Sequence, residues 1–265
     1  MITVIQQFFG INDPRPIEGF MSWQHLTFVS VLVLIMALLA FLLGAKNKNR
    51  TPEEKNRVLI VAAILMDSLE LIKILFFCRN DPMHWIYELP LFLCSIQLIT
   101  LPLAAFSKGR IREAALDFVS IFGLLGAVLG TYGAGNIYSS SPVLSFSCVV
   151  SGLTHCISGF AALYIMITRM AGMKKNNIVL TFAILLTFCA AAYIANQIIG
   201  YNYMFLSQGD GTPYDILYNL VKGSKVLYPL CVIALFLIYI TVFYRVYYGI
   251  TKRRERRAAS LAKCA

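Results

Sequence analysis

Residues 58–77 read VLIVAAILMDSLELIKILFF. Twenty residues of this apolarity are the length a helix needs to cross the hydrocarbon of a bilayer. Yet Asp67, Glu70 and Lys73 recur inside the stretch at intervals of three. On a helix they form one stripe, with Glu70 and Lys73 the simplest pair. A charge exposed to hydrocarbon costs about 2.5–3.5 kcal/mol on insertion scales, so the stripe is expected to face protein or a wet cavity. It is read either as a functional polar core or as a buried ion pair that fixes helix packing. In both cases the other helices must be arranged around it.

Composition supports a membrane setting. The 265 residues are 58% apolar and 14% charged, and the mean hydropathy is +0.71. A soluble globular domain is excluded. The formal charge of +10 is dispersed in short clusters between apolar spans. That pattern indicates membrane topology and contact with anionic lipid, and no nucleic acid is expected as a partner. Seven cysteines include no CxxC pair, so neither a disulfide framework nor a zinc site is expected. The opening MITVIQQFFGINDPRP has no basic region and no small-residue cleavage site, and reads as an interfacial lead-in.

A window of about 20 residues yields seven spans, at 24–44, 57–77, 86–106, 114–134, 143–168, 178–199 and 227–249. The fourth is glycine-rich and is expected to tolerate a bend. Short connections without a flexible linker predict a single all-α, polytopic membrane domain. Alternate connections are basic: Lys46, Lys48, Arg50, Lys55 and Arg57 in the first, Lys108, Arg110 and Arg112 in the second, Arg169, Lys174 and Lys175 in the third. The tail adds Lys252, Arg253, Arg254, Arg256 and Arg257. By the positive-inside rule the amino end is outside and the carboxyl end cytoplasmic. The outer 200–226 connection carries a QGDGTP turn and many tyrosines, and is expected at the interface or over the outer mouth.

With that orientation, His25, Glu70, Lys73, Glu88, Asn196, Asn202 and Tyr203 converge on the outer half of the membrane as candidate substrate-binding residues. Asp117 falls near the other side and is read as structural. Cys94 and His155 are the best nucleophile–base candidates, because a nearby imidazole favours a thiolate and shuttles protons. The competing reading is a small buried cysteine and a histidine bonded across helices. HxxxH, HExxH, Walker and GxGxxG patterns are absent. No metal or cofactor is therefore expected, and His25, His155 and Glu70 are too dispersed to define a metal site.

MSWQHL at 21–26, ELPLFLCSI at 88–96, GLTHCISG around His155 and NQIIGYNYMFL at 196–206 resemble the YwaF-type family of bacterial integral membrane proteins. Phe92 departs from the LPLHLC form of that family. The resemblance covers nearly the whole chain and implies a seven-span protein of the bacterial plasma membrane. That family is similar in turn to a eukaryotic multispanning acyltransferase that places acyl chains on ether-linked lysophospholipids. The resemblance implies a cysteine acyl acceptor and a histidine, matched here by Cys94 and His155. Membrane phospholipid and lysophospholipid are then the expected partners. Lipid hydrolysis and the binding or transport of a small solute are the alternatives.

Overall fold

In the computed structural model, residues 7–9 and 15–264 are described, with side chains as far as Arg253. Most of the amino-terminal lead-in, and the side chains of Arg254, Arg256 and Arg257, lie outside the described residues. Internal contacts divide the chain into two compact units, Met1–Ala171 and Gly172–Ala265.

In the first unit, α1 (Trp23–Asn47) starts at Ser22, whose hydroxyl accepts the His25 N–H at 3.2 Å. Helix α2 (Pro52–Cys78) starts in a capping box. The Thr51 hydroxyl accepts from Glu54 N–H at 3.3 Å, and the Glu54 carboxylate accepts from Thr51 N–H at 3.0 Å. Pro52, at the first helical position, needs no partner for an N–H it lacks. The 27 residues of α2 rise roughly 40 Å.

The expected span at 86–106 is not one helix. A single 3-10 turn covers His84–Glu88, an irregular segment follows, and only α3 (Gln97–Phe106) is regular. Pro90 has no N–H to give a helix and drives the preceding residue to extended geometry; Leu89 lies at ψ 140°. The ten residues of α3 rise roughly 15 Å, about half the hydrocarbon thickness. Irregular backbone at such depth persists where protein or a wet cavity surrounds it. Cys94 lies on that irregular stretch.

Helices α4 (Gly109–Tyr132) and α5 (Phe146–Thr168) form the centre of this unit, and α1, α2 and α3 pack around them. The glycine-rich fourth span is helical without interruption, and all residues from Ala114 to Gly123 are buried. A Cβ at Gly123 would come within 2.8 Å of the Ser158 carbonyl. This glycine therefore brings the α4 and α5 backbones together.

One end of the unit is latched by the basic residues that set the charge pattern. Lys55 Nζ donates to the Thr168 carbonyl at 3.2 Å, and Arg112 Nε to the Ala104 carbonyl at 3.2 Å. Asn56 bridges them, donating to Ala105 at 2.7 Å and accepting from Arg112 at 2.9 Å. These cations satisfy carbonyls left open at helix C-termini.

In the second unit, α6 (Ile178–Ile199) packs on α8 (Leu227–Cys264), and the short α7 (Tyr214–Leu220) lies in the connection between them. The Thr181 and Tyr244 hydroxyls share a hydrogen bond of 2.9 Å across α6 and α8. Among the described residues, five helices are long and apolar enough to cross a membrane: Trp23–Asn47, Gly109–Tyr138, Phe146–Thr168, Lys175–Ile199 and Leu227–Arg253. The remaining two expected spans fall on charge-bearing α2 and on the broken segment that ends in α3.

Candidate functional site

Cys94 sits just before α3, in a turn that Ser95 pins. The Ser95 hydroxyl accepts from Phe92 N–H at 3.0 Å and donates to the Phe92 carbonyl at 3.1 Å. The backbone N–H groups of Cys94 and Ser95 and the His155 ring lie beside the Cys94 sulfur and act on it electrostatically. Both residues remain partly exposed.

His155 is oriented from its own helix. Its Nδ1 lies 2.7 Å from the Ser151 carbonyl, one turn earlier on α5. A carbonyl only accepts, so Nδ1 carries the proton and Nε2 keeps its lone pair for the thiol. Two glycines of α4, one turn apart, make room. A Cβ at Gly130 would overlap the His155 ring outright, whereas one at Gly126 would sit 3.5 Å from the Cys94 Cβ. Glycines of the glycine-rich fourth span thus clear space for the cysteine–histidine pair.

A chain of charges adjoins the pair. Lys73 Nζ lies 2.8 Å from Glu70 Oε1 and 2.8 Å from Glu88 Oε2. Glu88 Oε1 is in turn 3.3 Å from His84 Nε2, and the His84 ring stacks on Phe77. Glu70 and Lys73 are only 8% and 9% exposed, so the stripe does face protein at these two positions. The Lys73 charge acts on the His155 ring. Asp67 departs from this arrangement. It faces a groove between α2 and α3 lined by Leu98, Pro102 and Phe106, and its Oδ1 is buried without a partner.

The other candidates lie in local hydrogen-bond networks. His25 is fully buried, accepts the Met21 N–H at Nδ1 over 3.2 Å and donates from Nε2 to the Thr131 carbonyl over 3.1 Å. With both nitrogens engaged, it ties α1 to α4. Asn196 exchanges two hydrogen bonds with the Tyr203 backbone, at 2.7 and 3.1 Å. Asn202 accepts from Ser207 N–H at 2.9 Å, donates to the Gln208 carbonyl at 2.8 Å and also bonds Asp210. Tyr203 is fully buried. These three residues shape the connection between α6 and α8 of the second unit. No group of three or more potential metal ligands occurs among the described residues.

The sequence assigns no site role to Ser151 or His84, and marks Gly126 and Gly130 only as part of a glycine-rich span. The Ser151 group that meets His155 is a backbone carbonyl, which any residue at that position would supply, so its side chain carries no signal. The glycines gain meaning only from neighbours brought in by other elements, whereas His84 meets Glu88 within its own turn and Phe77 from α2.

The long apolar helices define a multi-pass integral membrane protein, in which a cysteine–histidine pair adjoins a partly buried chain of charged and polar groups. Residues 20–247 match the TMEM164 family, and the chain belongs to that family. Neither the curated proteins nor the solved structures yielded a match.

Proposed function

We propose that the protein is an acyltransferase acting on membrane phospholipids, with Cys94 as acyl acceptor and His155 as general base and acid. The observation that carries the reading is the placement of His155 beside the Cys94 sulfur, with the other ring nitrogen committed to the Ser151 carbonyl. That tautomer is the one a base needs.

In the first half-reaction His155 Nε2 takes the thiol proton, and the sulfur attacks an ester carbonyl of the donor phospholipid. The new S–C bond forms as the C–O bond breaks, and the departing lysophospholipid oxygen receives the proton from His155. In the second, the hydroxyl of an acceptor lysophospholipid gives its proton to His155 and attacks the thioester. The new ester C–O bond forms, the S–C bond breaks, and His155 returns the proton to sulfur. Water in place of the acceptor makes the same site a hydrolase. The Glu70–Lys73–Glu88 chain braces this site on α2.

The YwaF-type resemblance supports a bacterial plasma membrane and seven crossings. In this reading α2 spans with its charges turned inward, and the irregular segment and α3 together complete another crossing. The basic latch of the first unit would face the cytoplasm.

The test is incubation with a defined phospholipid and lysophospholipid, followed by intact-protein and lipid mass spectrometry. An acyl-sized mass increase, removed by hydroxylamine and absent from Cys94→Ala, is expected. Full turnover by Cys94→Ala would sink the assignment. A thioester that forms normally in His155→Ala would remove the histidine from the mechanism.

A further inference from the structure

A second feature of the first unit is apolar and lies away from the sulfur. Helices α1 and α2 each pack on α5 but scarcely on one another. The slot between them has a volume of about 460 Å³, within the roughly 300–1,000 Å³ of ligand cavities. Leu39 and Leu43 form one wall, Val61 and Leu65 the other, and Cys156 and Phe160 the floor. The lining is apolar except at one end, where Arg57 stands.

Two dimensions fix the occupant. The slot extends from Arg57 to Leu65 along α2 and from Leu32 to Leu43 along α1, which is roughly 12 and 16 Å at the helical rise. One leaflet of hydrocarbon is about 15 Å deep, half of the total. The slot therefore accommodates a chain entering from one leaflet and stopping near the midplane. At the end where a headgroup would lie, Arg57 is exposed and has no hydrogen bond or ion pair among the described residues. Glu54, one turn earlier, is occupied in capping the helix. A guanidinium with open donors at the mouth of an apolar slot matches a phosphate by charge and by paired hydrogen bonds.

We propose that the slot between α1 and α2 seats one acyl chain of an anionic phospholipid, with its phosphate on Arg57. The site does not depend on chemistry at Cys94. Its leaflet is that of the basic latch, where anionic lipid would also meet Lys46 and Arg50.

Native mass spectrometry of the full-length protein tests this, after exchange into micelles containing phosphatidylglycerol and phosphatidylcholine with identical chains. The wild type is expected to retain one phosphatidylglycerol in preference to phosphatidylcholine. Arg57→Gln, a change at an exposed position, is expected to lower that preference on the order of tenfold, as loss of a charge-assisted contact does. Leu65→Trp, which fills the slot from a half-exposed wall position, is expected to abolish retention of both lipids. Equal retention of the two lipids by the wild type would mean non-selective annular lipid and overturn the proposal. So would an unchanged preference in Arg57→Gln, or recovery of a free fatty acid in place of the two-chain lipid.

Discussion

Lys73 is held between two carboxylates at 2.8 Å each, and replacing it leaves both in a poorly solvated place. Breaking a buried ion pair by removing one partner typically costs about 3–5 kcal/mol, chiefly through the charge left behind. Lys73→Met is therefore expected to lower the unfolding midpoint in detergent, and Glu70→Gln in the same chain to recover part of the loss. A Lys73→Met protein as stable as the wild type would show that the network contributes nothing. Gly130 makes a sharper case, because any side chain there enters the space of the His155 ring. A displacement of about 1 Å at a reacting group can cost on the order of a hundredfold in rate. Gly130→Ala should thus slow thioester formation by about that factor. Gly126→Ala, whose Cβ meets only ordinary contact at 3.5 Å, should be tolerated. Stopped reactions read by intact mass distinguish the two. The charge stripe of α2 was legible in sequence through its period of three, but Glu88 and His84 were not tied to it, since they arrive from a different segment.

The start of α2 depends on a local device outside the apolar window. Thr51→Ala removes a helix cap, a loss of about 1 kcal/mol in typical helices. The Thr51 backbone N–H, aided by the Arg50 charge, holds the Glu54 carboxyl below its ordinary range against a smaller opposing effect of burial. Because the folded value is the lower one, this contribution is complete above the ordinary glutamate value of about 4.3. It fades as the pH falls through the folded value. The wild type should therefore lose helix-end stability in that acid window, and Glu54→Gln should show a flatter pH profile there. Amide exchange at residues 53–57 measures it; identical profiles would show that the cap contributes no such pH dependence. The 86–106 segment has the opposite history. Hydropathy alone reads it as a span, whereas the missing N–H of Pro90 breaks it and leaves Cys94 on irregular backbone.

The proposed crossing pattern places Lys48 and Lys225, both exposed, on opposite sides of the membrane. In a background stripped of accessible native cysteines, an impermeant maleimide added outside should label Lys225→Cys and spare Lys48→Cys. The reverse pattern would invert the topology and move the anionic-lipid slot to the outer leaflet. Labelling of both from one side would require an even number of crossings between them.

By itself the sequence determined the helical membrane class, because hydropathy and loop charge are sums over neighbouring residues and need no partner from elsewhere. It also determined that Glu70 and Lys73 could not face lipid, since the cost of exposure is local. Tertiary structure alone decided which polar residues meet. Cys94 and His155 are 61 residues apart in the sequence and meet because α4 presents glycine where they pack. His25, Asn196 and Asn202, equally plausible as ligand groups on paper, have their hydrogen-bonding atoms engaged by backbone and loop groups. The slot beside Arg57 exists because α1 and α2 both choose α5 over each other. Such outcomes follow from side-chain volume and hydrogen-bond competition among distant segments, which no single stretch of chain encodes.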